Sequence, residues 1–311
     1  MSSAICTLFE GNYHYGLGAL VNSLYAQGYR GTIYAGYRGA LPPWVADAKK
    51  SSDWVEFSPA TGLVLRFIPL TTTIHLTNYK PDFMLSLWEH HCPQAESLFY
   101  FDPDITVFCR WSFFEEWVHA GVALCADINP DMPANHPIRH AWKKFYSPHG
   151  IMFRQTPDIY FNGGFVGLRR DQIPFLHCWQ RLQELMAPEI GGLKSVNVRD
   201  RTFLFNKTDQ DALNIAAMAN ESPVSPMGQD AMDIQFGGGG YVMSHALGAQ
   251  KPWNKKFMQN LFFRGNSPSR ADRLFFRHVE TPIRLYPIAT LTGKRFLLLG
   301  AGFLARFMSR T

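Results

Sequence analysis

From residue 5 to residue 244, short runs rich in β-branched and aromatic residues alternate with stretches whose apolar residues recur at helical spacing. Ile5–Phe9, Thr32–Ala35, Leu63–Ile68, Leu98–Phe101, Val122–Cys125, Phe165–Leu168 and Tyr241–Ser244 read as strands. Between the first two, Leu17, Leu20, Val21 and Leu24 stand at i, i+3, i+4 and i+7, one face of a helix. Phe83–Trp88, Ile173–Met186 and Asp209–Ala219 predict further helices. Alternation of this kind predicts an α/β fold with a mainly parallel sheet. Asn129–Pro157, rich in Pro, His and Asn, reads as an ordered irregular insertion, and Gly237–Gly240 as a tight connection before a strand.

From about Phe263 the texture turns basic and aromatic, which divides the chain into a main domain, residues 1–262, and a C-terminal extension, residues 263–311. Within the extension an amphipathic helix is predicted over 295–310, with Arg295, Arg306 and Arg310 on one side and Phe and Leu across most of the rest. Such a segment suits the headgroup region of an anionic membrane, and equally a helix packed on the core or an oligomer seam. Gly300 and Gly302 weaken its helicity. Gly300-Ala301-Gly302-Phe303-Leu304-Ala305 also spells a dinucleotide fingerprint. That motif works only inside a βαβ unit with an acidic residue ~20 positions on, which this stretch lacks.

Composition narrows the class. A chain of 311 residues with 46% hydrophobic and 18% charged residues is neither disordered nor a small disulfide scaffold. The net charge of +5 fits an anionic ligand or an acidic membrane surface, and no block of like charge points to nucleic acid. Five scattered cysteines without a CxxC pair read as reduced thiols of a cytoplasmic protein. The first residues lack the pattern of a secretory leader, so none is expected. No apolar run is expected to reach the ~20 residues of a spanning helix. His136 and His140 have i, i+4 spacing, but Pro137 stands between them and weakens a zinc reading.

The sharpest local chemistry is Leu98-Phe99-Tyr100-Phe101-Asp102-Pro103-Asp104, an apolar strand ending in two aspartates one residue apart. Ligands of open α/β sheets bind at the carboxyl ends of strands. Two carboxylates at i and i+2 can converge on Mg²⁺ or Mn²⁺ once Pro103 turns the chain; a solvated Asp-Pro turn reads the same way. Asn162-Gly163-Gly164 places an amide and two permissive glycines where backbone can approach a ligand. Thr208 or Asp209 can cap the helix that carries Gln210 and Asp211. His245, at a strand end, can complete a metal shell or serve structure alone, and Lys251 can meet a phosphate.

In this order the pieces resemble the GT-A glycosyltransferases, most closely glycosyltransferase family 8, over roughly Ile5 to Trp253. That family includes bacterial lipopolysaccharide galactosyl- and glucosyltransferases and the glycogenins. The most specific piece is His245-x-x-Gly248-x-x-Lys251-Pro252-Trp253, with Asp102-x-Asp104, Asn162-Gly163-Gly164 and Asp209-Gln210-Asp211 in support. The resemblance implies a Rossmann-like GT-A fold and retaining transfer of a hexosyl group from a UDP-sugar to a carbohydrate, glycolipid or lipopolysaccharide acceptor, assisted by Mn²⁺. It implies Asp102, Asp104 and His245 as metal ligands and Lys251 and Gly248 at the diphosphate. Asn12 and Tyr13 match the nucleobase pocket and Lys80 a position near the donor phosphates. Glu10-Gly11 departs from the usual residues there, and Pro103 replaces a small residue between the aspartates. Asp209 and Gln210 are the candidates beside the anomeric carbon. The competing readings are a sugar-nucleotide-binding protein without transfer activity and, last, a nucleotidyltransferase, for which Gly16-Leu17-Gly18 lacks an adjacent Lys or Arg.

Overall fold

The computed structural model describes residues 2–129, 131–196, 198, 204–234 and 241–308. Its central sheet is built from β1 (Ser3–Glu10), β2 (Gly31–Arg38), β3 (Lys49–Lys50), β4 (Val55–Ala60), β5 (Leu63–Pro69), β6 (Ser97–Phe101), β8 (Val122–Ala126), β9 (Phe161–Arg169) and β10 (Val224–Met227). The spatial order is β10-β8-β9-β6-β1-β2-β5-β4-β3, and only β4 and β9 run against the rest. The remaining strands, β7 (Ile105–Val107) and β11 (Met243–His245), form a separate antiparallel ribbon.

Period-two alternation explains the layering. Along β1, Ile5 and Phe9 join one apolar cluster while Ala4, Cys6 and Leu8 join another; along β6, Phe99 and Phe101 oppose Leu98 and Tyr100. A sheet buried on both faces needs helices on both. On one side lie α1 (His14–Ala26), α3 (Trp111–Trp117), α7 (Phe257–Arg264), α8 (Arg270–Arg277) and α9 (Ile288–Met308). On the other lie α2 (Lys80–Ser86), α4 (Pro137–Tyr146), α5 (Ile173–Met186) and α6 (Thr208–Ala219). The C-terminal helices are tied to the first by Asn22 of α1, whose amide donates to the carbonyls of His278 and Ile283, both at 2.8 Å. The edges are blunted: β3 exposes two lysines and β10 carries Pro226.

The sequence reading needs several corrections. The stretch 129–157 is not irregular throughout, since α4 runs through it with Trp142 and Tyr146 buried. Its Pro137 starts the helix, and His136 caps it, accepting from the Ile138 N–H through Nδ1 at 3.2 Å. The strand expected over Tyr241–Ser244 belongs to the ribbon, not the central sheet. The helix expected over 295–310 starts at Ile288, and Gly293, Gly300 and Gly302 all lie within it. The connection Gly237–Gly240, and Arg310, fall outside the described residues. All five cysteines are free thiols.

Candidate active site

β6 delivers Asp102 at its carboxyl end, and the antiparallel neighbour β9 passes Gly163 and Gly164 beside it. The ladder continues one step past the strand, with Asp102 N–H donating to Gly164 O at 2.7 Å. The chain then turns at buried Pro103 and re-emerges as β7, where His245 of β11 stands opposite Ile105. That register, extended by Ala246 N–H to Asp104 O at 3.1 Å, brings a histidine from far along the chain to the aspartates. His245 Nε2 lies 3.2 Å from Asp104 Oδ1 and 3.7 Å from Asp102 Oδ2. One ligand atom from each of the three side chains falls within 4.8 Å of the others, spacing that one cation could share.

Cations of the chain itself balance the carboxylates. Lys251 Nζ sits 2.6 Å from Asp104 Oδ2 and donates to Ala246 O at 2.8 Å. Burial pushes the Asp104 carboxyl up, but His245 and Lys251 outweigh it and hold the group well below the usual carboxylate range. Lys80, at the start of α2, is fully buried. Its Nζ donates to Gly163 O at 2.7 Å and faces Asp102 Oδ1 at 3.3 Å and Asp209 Oδ2 at 3.4 Å. Although burial opposes its charge, the two carboxylates raise the ammonium pKa. Asp209 moves the other way from a simple ion pair, since burial wins there and raises its pKa while Lys80 is shared with Asp102. The two carboxylates thus favour the charged form of Lys80, whereas burial disfavours that of Asp209.

Other expected residues divide into those at the cleft and those that support it. Tyr13, Asp102, Asp104, His245 and Lys251 line a cleft of about 240 Å³. Tyr13 packs edge-on to Trp253 at 5.4 Å, with Lys251 Nζ 6.0 Å from its ring centre. Asn12 is exposed beside it and reaches Asn254 at 3.4 Å. Gly248 adopts φ +91°, a left-handed turn that returns the chain toward Lys251. Asn162 is engaged at both ends, accepting from Gly164 N–H at 2.8 Å and donating to Asp127 Oδ2 at 2.6 Å. Gln210 accepts from Gly163 N–H at 3.2 Å, which fixes its amide orientation and leaves its buried Nε2 without a partner among the described residues.

Neither Thr208 nor Asp209 caps α6. The N-cap position is Lys207, which makes no side-chain cap; Asp211 instead reaches back to the chain entering the helix, accepting from the backbone N–H groups of Asn206 and Lys207 at 2.7 and 2.9 Å and from Tyr160 OH at 2.7 Å. Burial lifts the Asp211 carboxyl to about 6.

Three residues of the site escaped the sequence reading. Tyr100 donates to Asp102 Oδ1 at 2.8 Å; it stands two positions before the aspartate, so strand periodicity carried the signal. Buried Asp127, under Asn162, follows the end of β8 and could have been found by the strand-end rule that singled out Asp102. His75 lines the cleft from a loop with no motif, and burial lowers its pKa.

Gly164 offers a direct check on this packing. A Cβ there would stand 2.6 Å from His245 Cε1 and 2.9 Å from Asn162 Oδ1. Gly164→Ala is expected to cost about 1–3 kcal/mol of stability by overpacking. By turning the imidazole it should also abolish any thermal shift on adding Mn²⁺, read on both proteins side by side.

No family model matches the sequence, and no curated protein matches it. Among solved structures, the chain is similar to the galactosyltransferase LgtC in complex with donor and acceptor sugar analogues. Identity is 15% and the TM-score 0.52, over 94% of this chain and 99% of that one. It is also similar to the bifunctional glycosyltransferase WbbM, at 14% identity and a TM-score of 0.46, over 89% of this chain. The chain spans 51% of WbbM, and that likeness is too loose to carry weight. The likeness to LgtC assigns the architecture: a mixed α/β sheet flanked by helices, of the GT-A glycosyltransferase type.

Proposed function

We propose that the chain is a metal-dependent glycosyltransferase of the family 8 kind. It would move a hexosyl group from a UDP-sugar to a hydroxyl of a carbohydrate, glycolipid or lipopolysaccharide acceptor, with retention. The observation that supports this most is the convergence of Asp102, Asp104 and His245 beside Lys251 at the carboxyl end of β6. Two carboxylates and an imidazole suit Mn²⁺, or Mg²⁺ less well for the nitrogen ligand. A divalent cation held there supplies Lewis-acid neutralisation of the departing diphosphate.

The chain's own residues do the rest. Lys251 adds a point charge to the diphosphate, and the Tyr13 ring offers a face to the nucleobase. Lys80 and Tyr100 hold Asp102 with one oxygen occupied, so that Oδ2 is presented toward His245. Asp209 and Gln210 border the donor sugar, with Gln210 Nε2 free to donate to a sugar hydroxyl. In this reading the departing phosphate deprotonates the acceptor hydroxyl.

The test is a panel of nucleotide-sugars with and without Mn²⁺, followed by transfer assays. A UDP-sugar with Mn²⁺ is expected to stabilise the fold by about 2.7 kcal/mol at a hundredfold excess over Kd. No shift with any donor would refute the reading, and binding without transfer to any acceptor would leave a sugar-nucleotide-binding protein.

A further inference from the structure

Among the described residues, helix α9 is docked by one face only. Leu291, Leu298 and Ala301 are buried, Lys294 Nζ donates to Trp253 O at 3.3 Å, and Arg295 bonds Phe276 O at 2.9 Å and Glu280 at 2.6 Å. At 100° per residue, Phe296, Leu299, Phe303 and Phe307 form a stripe on the opposite side. These four are 76, 68, 58 and 65% exposed. Against α9 packs α7, whose Phe262 and Phe263 are 57 and 85% exposed. Large aromatic and aliphatic side chains gathered on one unpartnered face mark a docking surface.

Charge identifies what docks. Twelve of the chain's 30 Lys and Arg stand after position 250, against two of its 25 Asp and Glu, so the remainder is net acidic. Exposed Arg264 adjoins Phe263, and Arg273 and Arg306 line a groove of about 950 Å³ together with Leu261, Leu299 and Phe303. Aromatic rings flanked by guanidinium groups match the boundary between acyl chains and phosphate headgroups.

We propose that the outer face of α9, with Phe262 and Phe263, seats the protein on an anionic bilayer. The helix lies in the plane of the headgroups. By length and composition α9 could cross a membrane, with a mean hydropathy of 1.3 over its apolar window. Its buried face argues against that, because standing upright would strip Leu291, Leu298 and Ala301 from the core and pull Lys294 and Arg295 from their partners.

The test mixes the full chain with vesicles of phosphatidylcholine alone, or of equal parts phosphatidylcholine and phosphatidylglycerol, and pellets them. The protein is expected to pellet with the anionic vesicles, stay in solution with the neutral ones, and be released by alkaline carbonate. Phe303→Asp with Phe307→Asp, both at exposed positions, should lower partitioning by about a hundredfold. Arg264→Glu with Arg306→Glu should also lower it. The proposal falls if the wild type ignores anionic vesicles, binds neutral ones equally, resists carbonate, or forms a dimer that the double aspartate variant dissolves. None of these readouts depends on turnover, so this surface and the transferase reading stand or fall separately.

Discussion

A chain in which Lys80 is replaced by methionine is expected to lose about 3–5 kcal/mol of stability, seen as a lower urea midpoint at unchanged slope. Met matches the length of the aliphatic stem, so the loss is electrostatic rather than a cavity. Without the ammonium, Asp102 and Asp209 face each other across a site where Lys80 is 1% exposed, and the Gly163 carbonyl loses its 2.7 Å donor. Breaking one side of a buried charge cluster costs more than the cluster contributes, because it strands the partners. Two further measurements identify the cause. Adding Asp209→Asn should restore part of the stability by removing one stranded charge. The loss should also depend on pH with a defined sign. Asp209 already has a folded pKa above its unfolded value, and losing Lys80 raises it further. A carboxyl so shifted favours the fold below its unfolded pKa of about 3.9 and disfavours it once pH passes the folded value. The difference between wild type and Lys80→Met should therefore be small near pH 4 and full near pH 8. A pH-independent difference would mean that Lys80 acts by packing alone.

Lys80 also marks the border of what the sequence disclosed. The residue entered through the resemblance, as a position near the donor phosphates, but its burial and double pairing were not legible, because neither partner is local. The main strands were readable because each is a hydrophobic run between turn residues. The ones that were missed had no such run: β3 is two lysines, β7 is three residues long, β10 is broken by Pro226, and β4 carries Glu56 and Pro59. Helix α4 was hidden by His136 and Pro137, residues that look like loop and serve instead as cap and first turn. In the site, Asp102 and Asp104 announced themselves by position. His245 depended on the β7–β11 register, which two three-residue strands cannot specify by pattern. Asp209 shows the opposite failure. Its place at a helix start made capping the simple reading, yet α6 has no side-chain cap and Asp209 turns toward Lys80.

The largest effect on activity is expected at Asp104, and the neighbouring lysine makes the result diagnostic. Asp104→Asn removes the one carboxylate that both His245 and Lys251 touch. Losing a few kcal/mol of leaving-group stabilisation corresponds to about a thousandfold or more in kcat. Calorimetry should show Mn²⁺ binding lost with it. Lys251→Met should separate the two halves of the site. In the free protein Lys251 Nζ lies 2.6 Å from Asp104 Oδ2, where its charge opposes the arrival of a second cation. Removing it should tighten Mn²⁺ binding to the protein alone, by roughly tenfold for partly solvated charges at this range. With nucleotide-sugar present the same change takes a positive charge from the diphosphate, so KM should rise and kcat fall. Tighter metal binding joined to weaker turnover is a signature that misfolding cannot mimic. Metal affinity unchanged in Asp104→Asn, or weakened in Lys251→Met, would show that the cation does not enter between these side chains.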